Sequence, residues 1–79
     1  STEQEIKAIL QKLNFKPIQL VRTKESIWME NYKNKSLTDE EIIQALVAHP
    51  ILIERPIVIR ENKAIIGRIP EEVTQFLLE

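Results

Sequence analysis

The sequence predicts an α+β fold in which helices come first and a β-hairpin with a final helix comes last. Two capping boxes and apolar residues at helical spacing place helices within residues 1–50. A β-branched run, a two-residue turn and a second apolar run predict a strand-hairpin-helix unit within residues 51–79. A chain of 79 residues is long enough for one small domain or part of one. We therefore expect residues 1–79 to form a single partial domain.

The first helix is predicted from a capping box and an apolar stripe. Thr2 is followed three residues later by Glu5, which is the spacing of a reciprocal N-terminal cap. Apolar residues then recur on one helical face, at Ile6, Ile9, Leu10 and Leu13. Asn14 suits the end of this helix. Because a natural domain seldom opens on a helix cap, we expect the domain to begin before Ser1.

Two short helices are predicted next. Pro17 suits the first position of a helix that closes at Arg22, because its missing N–H is not needed there. The segment Ser26–Lys33 predicts another one or two helical turns. We interpret Trp28 as a packing residue rather than a platform for bases, since its neighbours are acidic.

A second capping box starts the fourth helix. Thr38 caps it, Glu41 completes the box, and the acidic first turn suits the helix dipole. Its predicted buried stripe consists of Ile42, Ile43, Leu46 and Val47. His49 falls in the last turn, and Pro50 ends the helix. We expect His49 to cap carbonyls or interact with the dipole rather than act as a base or ligand, and a lone histidine predicts no metal site.

The C-terminal part is predicted as a hairpin and a helix. Pro50 and Pro56 bracket a short apolar segment that precedes the strand Ile57–Arg60. That strand is nearly all apolar and is expected to be buried on both faces. Glu61 and Asn62 form the turn, with asparagine able to take a positive φ, and Lys63–Ile66 returns. Pro70 opens the last helix, whose inner face is expected to contain Val73, Phe76 and Leu77.

The composition excludes several classes of function. A net charge of −1 argues against a broad nucleic-acid or membrane-binding surface. The chain contains no cysteine, so these residues supply no disulfide, thiolate ligand or thiol nucleophile. A single glycine argues against a glycine-rich phosphate loop. No apolar run approaches the length of a membrane span, and no signal peptide is visible, so the cytoplasm is the expected compartment.

Three of the four arginines mark a candidate anion site. Arg22, Arg55 and Arg68 each stand at the end of a predicted element. Ends of elements meet at sheet edges, where arginines could bind a tetrahedral oxyanion through charge-assisted hydrogen bonds. The alternative for Arg55 is an ordinary surface ion pair with Glu54 or Glu61. On residue type alone both interpretations stay open.

Four motifs together resemble the glutaredoxin-coupled arsenate reductase family. They are Leu20-Val21-Arg22-Thr23-Lys24, Leu37-Thr38-Asp39-Glu40-Glu41, His49-Pro50-Ile51-Leu52-Ile53-Glu54-Arg55-Pro56-Ile57-Val58, and Gly67-Arg68 before the last helix. The resemblance implies a thioredoxin-like fold, of which this chain would hold the helical insert and the C-terminal β-β-α part. It implies that Arg22, Arg55 and Arg68 hold arsenate or a similar oxyanion, and that Pro56 is a cis-proline that shapes the site. Ile69 departs from the family pattern, in which a proline follows the third arginine directly.

The same resemblance implies a thiol-dependent oxidoreductase with no bound cofactor. Glutathione would be the co-substrate and glutaredoxin the partner. The family's N-terminal β-α-β segment with its catalytic cysteine is missing from these residues, so we expect the chain as given to be inactive. Without those strands the hairpin would expose an apolar edge, which predicts pairing with a second copy, pairing with the missing segment, or partial disorder of the chain.

Two other functions remain possible on the sequence. One is a non-catalytic thioredoxin-like binding module, or a regulator of that superfamily that contacts RNA polymerase. The other is a small α+β interaction domain whose arginines are ordinary surface charges. Three converging arginines would favour the reductase, whereas dispersed arginines would favour the interaction domain.

Overall fold

A computed structural model describes residues 2–79 and confirms the α+β class. Four α-helices and two strands occur in the predicted order, with two short 3₁₀ turns, Pro17–Leu20 and Pro50–Leu52, between them. The helices and strands are α1 (Glu3–Leu13), α2 (Ser26–Asn31), α3 (Asp39–Ala48), β1 (Ile57–Arg60), β2 (Lys63–Ile66) and α4 (Pro70–Leu78).

Both predicted capping boxes are present. The Thr2 hydroxyl accepts a hydrogen bond from the Glu5 N–H, and the Glu5 carboxylate accepts one from the Thr2 N–H. Thr38 and Glu41 make the same reciprocal pair at the start of α3. Asn14 ends α1 in the left-handed conformation, with φ 57°, which asparagine tolerates better than most residues.

The core lies where α1 meets α3 and β2. Its most enclosed side chains are Ile6, Leu20, Leu46 and Leu52, each from a different element. Other buried apolar side chains continue the same cluster, among them Leu10, Leu13, Val21, Trp28, Ile42, Ile43, Ala45, Ile53 and Ala64. One cluster therefore joins the helical part to the hairpin.

The segments between α1 and α3 differ from the prediction. Pro17 opens a 3₁₀ turn that ends at Leu20, and Val21 then takes extended backbone instead of continuing to Arg22 as a helix. β-Branched Val21 suits that conformation, and it forms a β-bridge with Ile53. α2 stops at Asn31, earlier than predicted. Trp28 is buried in it, as expected for a packing residue.

Three aromatic rings pack together at the C-terminal end of α3. Trp28 and Tyr32 stack with ring centroids 5.3 Å apart, and the ring of His49 meets Tyr32 edge-on at 6.1 Å. The main-chain N–H of His49 donates to the carbonyl of Ala45 and completes the last turn. His49 therefore packs at the C-terminus of α3.

β1 and β2 form an antiparallel hairpin with Ile57 opposite Ile66 and Arg60 opposite Lys63. The prediction that β1 is buried on both faces is wrong, because Ile59 is 48% exposed. The sheet of the described residues has two strands, with α1 packed against β2, so part of β1 stays uncovered. In the turn it is Glu61, with φ 57°, that adopts the positive φ, rather than Asn62 as predicted.

α4 begins at Pro70, as predicted, and buries Phe76. Val73 is half-buried. Leu77 does not belong to the inner face, since it is 50% exposed in the last turn, beyond the edge of the core. None of the helices within residues 2–79 has both the length and the apolar composition needed to cross a membrane.

Candidate anion site

Two of the three predicted arginines meet at one carboxylate. Arg68 Nη2 donates to Glu54 Oε2 at 2.9 Å. Arg22 Nε lies 3.9 Å from the other carboxylate oxygen, Glu54 Oε1. Arg22 Nη1 also lies 3.7 Å from Glu25 Oε1. The two guanidinium groups thus face the two oxygens of a single acid.

The backbone around this site is fixed by a short stretch of β-pairing. The Arg22 N–H donates to the Leu52 carbonyl at 2.7 Å, and the Glu54 N–H donates to the Leu20 carbonyl at 2.8 Å. These two hydrogen bonds flank the bridge between Val21 and Ile53. Arg22 and Glu54 therefore lie diagonally across the bridge, where their side chains can meet although the two residues are far apart in the sequence.

Arg68 is positioned by the residue before it. The Gly67 N–H donates to the Pro56 carbonyl at 2.7 Å, which draws the end of β2 to the segment before β1. A Cβ atom on Gly67 would lie 3.0 Å from Val58 Cγ2. Because glycine has no Cβ, Gly67 permits this close approach, and the approach places Arg68 near Glu54.

The side chains around the ion pairs line an open groove of about 430 Å³. Its lining contains Val21, Arg22, Thr23, Lys24, Glu25, Glu54 and Arg68. Three of these side chains are cationic and two are anionic, so the groove has a positive balance. Guanidinium forks with hydroxyl and ammonium donors nearby suit an oxyanion.

Arg55 is not part of this groove. It lines a separate, largely apolar pocket together with Ile6, Ile9, Leu20, Ile53, Pro56 and Ile57. Arg55 lies in a bend between the bridge residue Ile53 and β1, and its side chain lines this pocket instead of the groove. Its predicted alternative partner Glu54 is instead engaged by Arg22 and Arg68. The Arg55–Pro56 peptide bond is cis.

The residue that sequence reasoning missed is Glu54. The sequence indicated Glu54 only as an ion-pair partner of Arg55, its neighbour in the chain. Its pairing with Arg22 depends on the bridge between Val21 and Ile53, which are far apart in the sequence, so no local pattern could have found it. In the part of the chain that the structure describes, His, Asp and Glu side chains form no cluster that could hold a metal ion.

A protein-family model described as the ArsC family matches residues 1–76 of the chain. The uncharacterized protein YfgD of Escherichia coli is 47% identical over 60 residues, which are 75% of this chain and 50% of that protein. An arsenate reductase of Haemophilus influenzae is 41% identical over 75 residues, which are 92% of this chain and 65% of that protein.

The fold also matches a solved structure. A putative arsenate reductase from Yersinia pestis superposes with a TM-score of 0.84 and 42% sequence identity, over 95% of this chain and 68% of that one. The chain thus spans between about half and two thirds of the length of these relatives.

Proposed function

Because the chain belongs to the ArsC family, we propose that its arginine groove binds arsenate or a similar oxyanion for thiol-dependent reduction. Its helices and hairpin are the helical insert and β-β-α part of a thioredoxin-like fold. The observation that carries the proposal is the approach of Arg22 and Arg68 to the two oxygens of one carboxylate, Glu54. Guanidinium groups so arranged can hold two oxygens of a bound oxyanion.

In the proposed reaction the arginines stabilise the negative charges of the oxyanion and of the thiolate. Arg22 and Arg68 would neutralise the arsenate oxygens and favour the thiolate form of the attacking cysteine. Arg55 stays a third candidate on the family resemblance alone, since its side chain lines a separate pocket beside Pro56. The thiolate would form a sulfur–arsenic bond with loss of water. Attack by glutathione would then give a disulfide and arsenite, so that two thiols supply the two electrons.

The thiol must come from outside these 79 residues, since the chain contains no cysteine. By itself the chain is expected to give no turnover. We propose glutathione as the co-substrate and glutaredoxin as the protein partner that reduces the mixed disulfide, with no resident cofactor. A reducing compartment, the cytoplasm, suits this thiol chemistry.

The test is an arsenate reduction assay on the protein at its full natural length, with glutathione, glutaredoxin and an NADPH-linked readout. Arg22→Ala and Arg68→Ala should each lower kcat/KM about 100-fold or more, as expected when a stabilising donor is lost. Arg55→Ala tests the third candidate. Arg60→Ala is the matched control, because Arg60 lies on β1 outside the groove and should leave the rate unchanged. Absence of arsenate-dependent turnover in the wild type would refute the proposal.

A non-catalytic binding module is the second candidate function. The observation that favours it is that carboxylates of the chain already pair with Arg22 and Arg68. Under this alternative the ion pairs are structural, and the groove has no oxyanion to bind. Calorimetric titration of the full-length protein with arsenate separates the two, because only the reductase requires saturable binding that Arg68→Ala abolishes.

A further inference from the structure

Glu54 occupies the position in which the two guanidinium groups would receive an oxyanion. One of its oxygens accepts a hydrogen bond from Arg68 at 2.9 Å, and the other lies 3.9 Å from Arg22 Nε. An incoming oxyanion would need the same donors. It would also meet the negative charge of the carboxylate at close range.

The carboxylate is better fixed than its partners. The Glu54 side chain is 20% exposed, whereas those of Arg22 and Arg68 are 47% and 61% exposed. Its main-chain N–H is bonded to the Leu20 carbonyl next to the Val21–Ile53 bridge. The Glu54 side chain is therefore held in the groove more firmly than the two arginine side chains, which are free to change partner.

We propose that Glu54 is the resident anion of the groove and determines its specificity, since an oxyanion binds only by displacing this carboxylate from Arg22 and Arg68. This inference rests on the proposed function. Because the carboxylate stays nearby after displacement, it opposes a doubly charged ligand more strongly than a singly charged one. Glu54 thereby weakens the binding of dianions such as sulfate and restricts the groove to ligands of lower charge.

Glu25 offers a matched control for this idea. It also approaches Arg22, at 3.7 Å, but it makes no ion pair with Arg68 among the described residues. Replacing Glu25 by glutamine removes one negative charge from the same groove, as replacing Glu54 does. Only Glu54, however, contacts both arginines.

The experiment is equilibrium titration of the full-length protein with sulfate and, separately, arsenate, by calorimetry. Glu54→Gln keeps the shape and removes the charge, so the Kd for sulfate should fall about tenfold. The gain for arsenate, which is partly singly charged at neutral pH, should be smaller. Glu25→Gln should change either Kd less than about threefold. Binding that is unchanged or weaker in Glu54→Gln would overturn the proposal and show that Glu54 only orients the arginines.

A wild-type structure with sulfate or arsenate bound gives a second test that needs no variant. The Arg68–Glu54 hydrogen bond should be broken in that structure, and its retention would also overturn the proposal. Failure of the proposed function is distinguishable from either result. A wild type without arsenate reduction, but with tighter sulfate binding in Glu54→Gln, would refute the reductase and keep Glu54 as the resident anion.

Discussion

Val21 and Ile53 form an isolated antiparallel β-bridge that connects the helical part of the chain to the hairpin part. Both side chains are 5% exposed and belong to the common core. The main-chain hydrogen bonds on either side of the bridge fix Arg22 and Glu54 diagonally across it, within reach of each other's side chains. Packing at this pair therefore determines the geometry of the anion groove.

The first prediction concerns Ile53. Ile53→Ala should lower the free energy of unfolding by about 2–4 kcal/mol, because it removes buried methyl groups and leaves a cavity beneath the bridge. Chemical denaturation followed by circular dichroism measures the loss. Ile51→Ala is the control, since Ile51 is 52% exposed and its replacement should cost less than about 1 kcal/mol. Equal losses at the two positions would show that the bridge is not part of the stabilising core.

The sequence predicted well those features that local signals determine. The capping boxes at Thr2 and Thr38 need only residues three positions apart, and both starts are where the pattern placed them. The hairpin followed equally from the short turn between two β-branched or apolar runs. In these regions local preference and tertiary packing agree.

The groove depended on contacts that no local pattern contains. The bridge between Val21 and Ile53 turned a predicted helix end into extended backbone, and it brought Arg22 to Glu54. The sequence located three arginines at element ends but could not assign their directions. In the structure Arg55 lines a different pocket from the groove that contains the other two.

The second prediction concerns acid stability. The backbone hydrogen bond from Thr38, followed by the side-chain hydrogen bond with Thr38, holds the pKa of the Glu41 carboxyl below its ordinary value of 4.5. The folded state thus favours the ionised form. Its contribution to stability is complete above about pH 4.5 and disappears as the pH falls through the lower, folded-state pKa.

Glu41→Gln tests this dependence, because glutamine can keep the hydrogen bond but not the charge. The difference in unfolding free energy between wild type and variant should shrink between about pH 7 and about pH 3. Glu5→Gln should behave alike, since the Thr2 backbone hydrogen bond also lowers the pKa of Glu5. Thermal or urea unfolding across that range provides the measurement. A difference that stays constant with pH would contradict the prediction.

The third prediction concerns Gly67. Gly67→Ala would place a methyl group 3.0 Å from Val58 Cγ2 and 3.4 Å from Pro56 Cγ, so a neighbour must shift. We expect a loss of about 1–3 kcal/mol of stability, typical of overpacking. The shift should also move Arg68 away from Glu54 and weaken anion binding, measured as a higher Kd for sulfate.

A double-mutant cycle with Val58→Ala identifies the cause. Removing the valine methyl groups makes room for the new Cβ, so the double variant should be more stable than the sum of the single losses predicts, by about 0.5 kcal/mol or more. Urea unfolding of the four proteins gives the coupling free energy. Strictly additive losses would show that Val58 is not the obstacle.

The fourth prediction concerns the hairpin edge. Among the described residues β1 pairs with β2 alone, and Ile59 on β1 is 48% exposed, so the 79-residue chain presents an apolar strand edge. Such edges pair with other strands, and a charged residue there prevents it. We expect the wild-type chain to associate with a second copy as its concentration rises, and Ile59→Lys to shift it toward the monomer.

Ile69→Lys is the matched control for edge pairing. Ile69 is as exposed as Ile59 but lies outside the hairpin, so this substitution should leave association unchanged. Light scattering coupled to size-exclusion chromatography decides the matter, and a wild-type chain that stays monomeric at every concentration would contradict edge pairing.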